Sequence, residues 1–190
     1  AIYTTNALYG NEGFQFWAAC NVTRGTKLIT SQHGGHYGVS KWSGQETHEI
    51  KVANRYFTWG WDKNNDYRLL PMPSGQLQSI IRNLKSSTDG NILWVGMGVP
   101  RYSYWLYSAP VGPQFLNYLA DQKRFGESVS DEVRRLLVYR LFVRDFDWSQ
   151  KERLADMLPS VKLYDGQKSF YQQLRESRLC ISNYNSTTYL

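Results

Sequence analysis

Two β-prone segments enclose a helical segment at the start of the chain, and this alternation constrains the fold more than any other feature. Residues 1–5 and 27–31 predict buried strands. Asn11 is a suitable N-cap for a helix over residues 12–20. Two consecutive strands joined by a helix form the βαβ unit of a parallel sheet. The opening therefore predicts an α/β fold.

A second alternation begins near Asn91. The apolar runs at residues 92–97 and 138–142 predict strands, and near-helical spacing predicts a helix over residues 114–127. Shorter helices are predicted from Glu132, over residues 150–158 and over residues 169–176, and shorter strands over residues 161–163 and 179–182. The helix over 150–158 has Ser149 as its predicted cap and Glu152 at the capping-box offset. This block also predicts a parallel α/β layer.

The residues between the two blocks carry weaker signals. Residues 42–51 are polar and predict irregular structure or a short helix, whereas residues 55–61 predict a strand. Turn-forming residues at 62–66 and 71–75 predict turns and a linker.

Composition excludes several classes of protein. With 42% hydrophobic and 20% charged residues the chain is globular. A net charge of +6 favours anionic ligands, but the basic residues are scattered, so no nucleic-acid partner is predicted. The 2 cysteines lack CxxC spacing, which argues against a disulfide framework and favours the cytoplasm. No apolar run reaches the roughly 20 residues of a membrane span.

The segment Gln32–Gly38, here called the glycine-histidine loop, directly follows a predicted strand and carries two of the chain's 3 histidines. Ligands of α/β sheets bind at the carboxyl ends of strands, and glycines let the backbone approach a ligand closely. His33 and His36 are suited to acid–base chemistry or to hydrogen bonds with phosphate, and Gln32 and Tyr37 add neutral donors. The alternatives are an ordinary glycine-rich turn and a zinc site formed with His48.

Two carboxylates flank a histidine in the segment Glu46–Glu49. Such a cluster can tune a proton-transfer group, but it more often forms a solvated face. The solvated face is the favoured interpretation of the segment itself.

The second block offers two candidate anion sites. Hydroxyl and amide residues at 182–188 follow a predicted strand and are suited to phosphate binding, although they also suit a simple N-cap. Arg140 interrupts an apolar strand, so it requires an anion, either a bound phosphate or a structural carboxylate. Arg101 is a similar but weaker case.

The motifs taken in order resemble the bacterial surface-polysaccharide transferases of O-antigen and capsule type, a family of GT-B-like glycosyltransferases with two Rossmann domains. The resemblance covers nearly the whole chain and rests on Thr5-Asn6-Ala7, Phe16-Trp17-Ala18-Ala19, Gln32-His33-Gly34-Gly35-His36-Tyr37-Gly38, His48-Glu49-Ile50-Lys51, Thr58-Trp59-Gly60-Trp61 and Asn185-Ser186-Thr187-Thr188. Related families carry a His-Pro pair after the strand that corresponds to 138–142, whereas this chain has Leu141-Phe142-Val143-Arg144.

The resemblance implies a division into domains. Residues 1–70 would be the tail of an N-terminal, acceptor-side domain, residues 71–90 a linker, and residues 91–190 part of a C-terminal domain that binds the nucleotide sugar. The chain would then be an internal fragment of an enzyme whose reaction takes place between the two domains. The fragment alone would be inactive.

The resemblance also implies the function: transfer of a sugar from a nucleotide-activated donor, CMP-linked in the more distant relatives, to a glycan or lipid-linked glycan acceptor. A GT-B-like enzyme requires no Asp-x-Asp metal motif, so no metal and no separate cofactor are predicted. The implied location is cytoplasmic and allows peripheral association with the inner membrane. The candidate catalytic residues are His33 and Glu49. The candidate donor-binding and phosphate-binding residues are Gln32, Gly34, Gly35, Tyr37, Gly38, Arg101, Arg140, Asn185, Ser186, Thr187 and Thr188.

Overall fold

The computed structural model describes residues 1–63, 65–75, 78, 82, 87–102, 112–164 and 166–183. The described residues form two compact units, the first up to residue 82 and the second from residue 87. Each unit contains one parallel four-stranded sheet with helical connections, so the predicted α/β fold of Rossmann type is confirmed.

The first unit alternates strands and helices up to its third strand, as its opening residues predict. Its elements are β1 (Ile2–Thr4), α1 (Glu12–Thr23), β2 (Leu28–Ser31), α2 (Gly44–Val52), β3 (Arg55–Thr58) and β4 (Leu69–Pro71). The strand order is β1-β2-β3-β4, and each neighbouring pair is parallel. All four strands therefore end at the same edge of the sheet.

Side-chain caps start α1 and α2. Asn11 accepts a hydrogen bond from the backbone N–H of Phe14 at 2.9 Å, and Ser43 accepts one from that of Glu46 at 3.3 Å. Capping satisfies backbone donors that have no partner in the first helical turn. The ambiguous segment 42–51 is thus resolved as a helix. Strand β4 was not predicted, because three residues are too few for an alternating pattern.

The second unit follows the same rule with a different strand order. Its elements are β5 (Asn91–Val95), α3 (Gln114–Ser128), α4 (Asp131–Leu136), β6 (Leu137–Arg140), α5 (Gln150–Met157), β7 (Lys162–Tyr164), α6 (Phe170–Arg175) and β8 (Ser177–Ser182). The order is β7-β6-β5-β8, all parallel. The chain proceeds outward from β5 to β7 and then returns to the other side of β5.

Aromatic side chains dominate the core of the second unit. Trp94 packs edge-on against Tyr139 with ring centroids 4.9 Å apart, and Phe115 packs against Trp148 at 4.8 Å. Residues 92–94 and 137–139 are buried without alternation. A parallel strand covered on both faces has this continuous apolar pattern, which explains why β5 and β6 were evident from sequence.

Ser149 is the N-cap residue of α5 as predicted, but the predicted side-chain cap bond was wrong. Ser149 has a positive φ of 50° and makes no side-chain cap bond. The carboxylate of Asp145 takes this role and accepts hydrogen bonds from the backbone N–H groups of Ser149 at 2.8 Å and Gln150 at 2.6 Å. By contrast, Ser169 and Gln172 form a complete capping box at the start of α6.

Among the described residues, the helices are all too short or too polar to cross a bilayer.

Candidate active site

The glycine-histidine loop lies at the carboxyl edge of the first sheet. It follows β2 directly, and the backbone N–H of Gln32 still donates to the carbonyl of Phe57 in β3 at 2.9 Å. Because β1, β2 and β3 are parallel, residues that follow them meet at this edge. The predicted position of the loop is confirmed.

Gln32 anchors the loop to the residues that follow β3. Its side chain is 4% exposed. The carbonyl Oε1 accepts hydrogen bonds from the backbone N–H of Trp59 at 2.9 Å and from Nε1 of Trp61 at 2.7 Å. Its Nε2 donates to the carbonyl of Gly34 at 2.8 Å. Both ends of the amide are therefore hydrogen-bonded inside the protein. The strand predicted over residues 55–61 ends at Thr58, and residues 59–61 turn toward the loop.

Tyr37 lies behind His33 rather than on the surface of the loop. It is 1% exposed, and its hydroxyl donates to Oε1 of Glu49 at 3.2 Å. The hydroxyl oxygen of Tyr37 also lies 3.3 Å from Nδ1 and 3.2 Å from Nε2 of His33. The Tyr37 hydroxyl thus bridges the imidazole and a buried carboxylate. We call His33, Tyr37 and Glu49 the proton cluster.

Glu46 and Glu49 point into the unit, so the favoured interpretation of the segment Glu46–Glu49 as a solvated face was wrong for both carboxylates. Residues three apart on a helix share one face, and here that face of α2 is the buried one. Glu46 accepts a hydrogen bond from the backbone N–H of Gly38 at 2.7 Å and lies 3.8 Å from Nζ of Lys63. Thr47 and His48, between them, are exposed as predicted.

Glu49 is the least solvated charged group of the site. It is 3% exposed, and its Oε2 has no hydrogen-bond partner in the described structure. Burial raises the pKa of this carboxyl to about 7, with a smaller upward contribution from Glu46 and an opposing one from the Tyr37 hydrogen bond. Near neutral pH the carboxyl is therefore divided between its acid and its carboxylate forms.

The surroundings of His33 favour its neutral form. Burial lowers the pKa of its imidazole, and the neighbouring His36 lowers it further, while hydrogen bonding to the backbone at Thr5 and Ser31 opposes both effects. Its side chain is 22% exposed. A neutral, partly exposed imidazole is able to accept a proton from a ligand.

His36 completes the titratable groups of the loop. Its ring lies against the Tyr37 ring at a centroid distance of 4.3 Å. Burial lowers its pKa, and Glu46 opposes this shift. In the part of the chain that the structure describes, no three His, Cys, Asp or Glu side chains are grouped to hold a metal ion, so the zinc alternative with His48 gains no support.

Replacing Glu49 by Gln is expected to remove a pH-dependent loss of stability. A carboxyl whose pKa is raised by folding stabilises the native state fully at low pH, here below about 4.5, and this stabilisation is lost as the pH rises through about 7. The loss amounts to about 3 kcal/mol in the free energy of unfolding. Urea unfolding at pH 5 and pH 8, monitored through amide exchange in β2 and β3, measures this loss of stability.

The exposed Glu12 provides the control, because Glu12→Gln removes a carboxyl from the same unit without a buried charge. The Glu49 variant should gain stability relative to the wild type only at the higher pH. The same pH trend in both variants and the wild type would contradict a buried Glu49.

The carboxyl edge of the second sheet holds a buried polar network that the sequence did not indicate. The Tyr118 hydroxyl accepts a hydrogen bond from the backbone N–H of Met97 at 3.0 Å, lies 3.1 Å from the Tyr139 hydroxyl, and donates to Oδ1 of Asn183 at 3.2 Å. Asn183 Nδ2 donates in turn to Oε1 of Gln122. The only available signal was Tyr118, which lies three residues after Phe115 on the inward face of a helix.

This network joins the ends of β5 and β8, the neighbours between which the strand order reverses. In open α/β sheets, ligands bind at the carboxyl ends of the strands at such a reversal. Gly96 and Asn183, the first residues after these two strands, are placed there. Residues 185–188 (Asn185, Ser186, Thr187 and Thr188), the predicted phosphate site, lie outside the described residues.

The two candidate arginines have neutral partners within the described structure. Arg140 donates to the carbonyl of Lys168 at 3.1 Å and to Oε1 of Gln173, and its guanidinium lies over the Tyr164 ring. Burial lowers its pKa. Arg101 donates to the carbonyl of Asp147 at 3.0 Å. Phosphate binding by either residue stays a prediction.

The segment Asp145–Asp147 has the Asp-x-Asp pattern, although the GT-B-like resemblance does not require it. Both carboxylate oxygens of Asp145 accept hydrogen bonds from the first backbone N–H groups at α5, as described above. In this structure Asp145 therefore acts as a helix cap.

Two parallel α/β sheets, one with a buried acid–base cluster at its carboxyl edge, define an enzyme-like protein of Rossmann type. The family model described as LIC12162 family transferase matches residues 1–190, so the chain belongs to this transferase family. No curated protein and no solved structure matches the chain.

Proposed function

We propose that the protein transfers a glycosyl group from a nucleotide-activated sugar to a bacterial surface glycan of the O-antigen, capsule or lipopolysaccharide type. The observation that carries the proposal is the proton cluster, since His33 is a neutral, partly exposed imidazole backed by a buried carboxylate. Membership of a transferase family favours an enzyme over the alternative function, a non-catalytic carbohydrate-binding or nucleotide-binding module.

In the proposed reaction His33 is the general base that takes the proton from the acceptor hydroxyl. The acceptor oxygen forms a bond to the anomeric carbon while the bond from that carbon to the donor phosphate breaks. The acceptor O–H is cleaved, its proton moves to a nitrogen of His33, and the nucleotide departs with the electron pair. A base whose pKa lies near or below neutrality is suited to this step, because it is largely unprotonated at the operating pH.

The donor nucleotide is proposed to bind at the reversal of the second sheet. The strand order β7-β6-β5-β8 corresponds to the 3-2-1-4 part of the dinucleotide-binding order, whose ligands lie beside the first strand of the pattern. The residues proposed for the donor phosphates are Arg101, Arg140 and residues 185–188. No metal and no separate cofactor form part of this proposal.

The remaining parts of the proposal follow from the resemblance. The acceptor is a glycan or lipid-linked glycan, the donor is a nucleotide sugar with CMP as one choice of nucleotide, and the reaction takes place on the cytoplasmic side of the inner membrane. The GT-B-like architecture and the domain limits at residues 70 and 91 belong to the same proposal.

A donor screen on the complete protein tests this function. CMP-, UDP-, GDP- and dTDP-linked sugars are offered separately, binding is measured by calorimetry, and release of free nucleotide is measured with a glycan acceptor present. We expect one nucleotide class to bind and to be turned over, and Arg140→Ala to weaken its binding. Binding of a free glycan with no turnover of any donor would favour the non-catalytic module.

A further inference from the structure

The proton cluster suggests where the acceptor proton finally rests. We propose that Glu49 receives this proton through Tyr37, so that His33 passes the proton inward instead of keeping it. The inference rests on the proposed function and extends it, because it identifies two positioning residues behind the residue that contacts substrate.

The direction of the hydrogen bonds supports this relay. Tyr37 has a single hydroxyl proton, and the structure directs it to Oε1 of Glu49 at 3.2 Å. Toward His33 the hydroxyl oxygen is then only an acceptor, and it lies within 3.3 Å of both ring nitrogens, so an N–H on either nitrogen can be donated to it. A neutral imidazole has one N–H, so the ring nitrogen that does not carry it keeps a lone pair for the substrate proton.

The relay consists of three linked proton transfers. The acceptor O–H breaks and an N–H forms on the lone-pair nitrogen of His33. The N–H on the opposite nitrogen breaks as a new O–H forms on Tyr37. The original Tyr37 O–H breaks and an O–H forms on Glu49. The net change is one proton moved from the acceptor hydroxyl to the Glu49 carboxylate, with His33 and Tyr37 restored to neutrality.

The surroundings of both ends favour inward transfer. His33 faces His36 and Tyr37, and its partial burial with a second imidazole nearby disfavours a lasting imidazolium. Glu49 faces Tyr37, Tyr56 and Glu46, and its Oε1 lies 4.0 Å from Nδ1 of His33. Glu46 is itself near Lys63. A carboxyl whose pKa is about 7 holds or releases a proton with little cost at neutral pH.

The same contacts would also be seen if Tyr37 merely packed the loop in place. The two roles differ in their pH dependence. A relay requires ionised Glu49, so turnover should rise as the pH increases through about 7. A packing role requires the ring and gives turnover no dependence on the ionisation of Glu49.

The test compares the pH profile of kcat in four proteins: the wild type, Tyr37→Phe, Glu49→Gln and the control Tyr56→Phe. Tyr56 is buried and its ring stacks with that of Tyr37 at 6.4 Å, but its hydroxyl has no hydrogen-bond partner in the described structure. Tyr37→Phe and Glu49→Gln should lose the inflection near pH 7 and lower kcat about 100-fold with KM little changed. Tyr56→Phe should keep the wild-type profile.

Nitrogen NMR of His33 supplies a readout that does not need turnover. Ring nitrogen shifts report which nitrogen carries the proton, and His33→Gln identifies the signals. Tyr37→Phe and Glu49→Gln should both change the tautomer balance of His33, whereas Tyr56→Phe should not. Glu49→Gln preserves size and shape, so it guards against a Tyr37 variant that fails to fold.

The outcomes separate the two proposals. Turnover of a nucleotide sugar with an unchanged pH profile in Tyr37→Phe and Glu49→Gln would overturn the relay and leave the function standing. Unchanged His33 tautomers in both variants would overturn the relay in the same way. The absence of turnover with every donor would overturn the proposed function and the relay with it.

Discussion

Replacing His33 by Gln is expected to reduce kcat by about 10²- to 10⁴-fold, the usual contribution of a general base. His33 is the residue of the proton cluster that reaches solvent, since Tyr37 and Glu49 are almost completely buried. A glutamine amide is polar and similar in reach, so the loop should keep its fold while losing a group that takes up a proton. Steady-state turnover of the donor identified by the screen measures the loss.

His48→Gln is the matched control, because it makes the same chemical change at an exposed histidine on α2. Its kcat should stay close to that of the wild type. Full turnover in His33→Gln would contradict the assignment of His33 as the base. An equal loss in both variants would point to a general effect of replacing histidine.

Replacing Gly38 by Ala is expected to destabilise the first unit by about 3 kcal/mol, from overpacking and from an unfavourable left-handed backbone. Gly38 has a φ of +76°, and a Cβ there would lie 2.6 Å from the Trp61 ring. Trp61 cannot move away cheaply, because its Nε1 is hydrogen-bonded to Gln32. Urea unfolding, monitored through amide exchange in β2 and β3, measures the change in the free energy of unfolding.

Gly10→Ala separates the two contributions. Gly10 has a similar φ of +65°, but a Cβ there would meet nothing within 4 Å. This variant should lose only about 1 kcal/mol, the cost of the backbone conformation alone. Equal losses in both glycine variants would show that Trp61 yields to the new methyl group.

Much of the fold could be predicted because its signals are local. The Asn11 cap and the buried runs of β5 and β6 each depend on a few neighbouring residues. The failures depend on unusual loop backbone or on long-range strand pairing. The Asp145 cap reaches α5 from a loop with positive φ angles, and β4 is defined by its pairing with β3.

The candidate site divides in the same way. The position of His33 after a strand was evident from sequence, because a glycine-rich loop after a strand in a parallel sheet lies at the ligand-binding edge. The burial of Glu46 and Glu49 was not evident, since the segment is polar throughout. Which face of α2 points inward depends on how the helix packs on β2 and β3.

The sequence by itself determined the alternation of strands and helices, the parallel sheets that follow from it, and the strand end at which the histidines stand. Tertiary structure alone decided that Tyr37 and Glu49 are buried behind His33 and that Tyr118, Tyr139 and Asn183 meet at the edge of the second sheet. The physical reason is that secondary structure responds to neighbours along the chain, whereas burial, and with it the raised pKa of Glu49, arises from residues brought together only by folding.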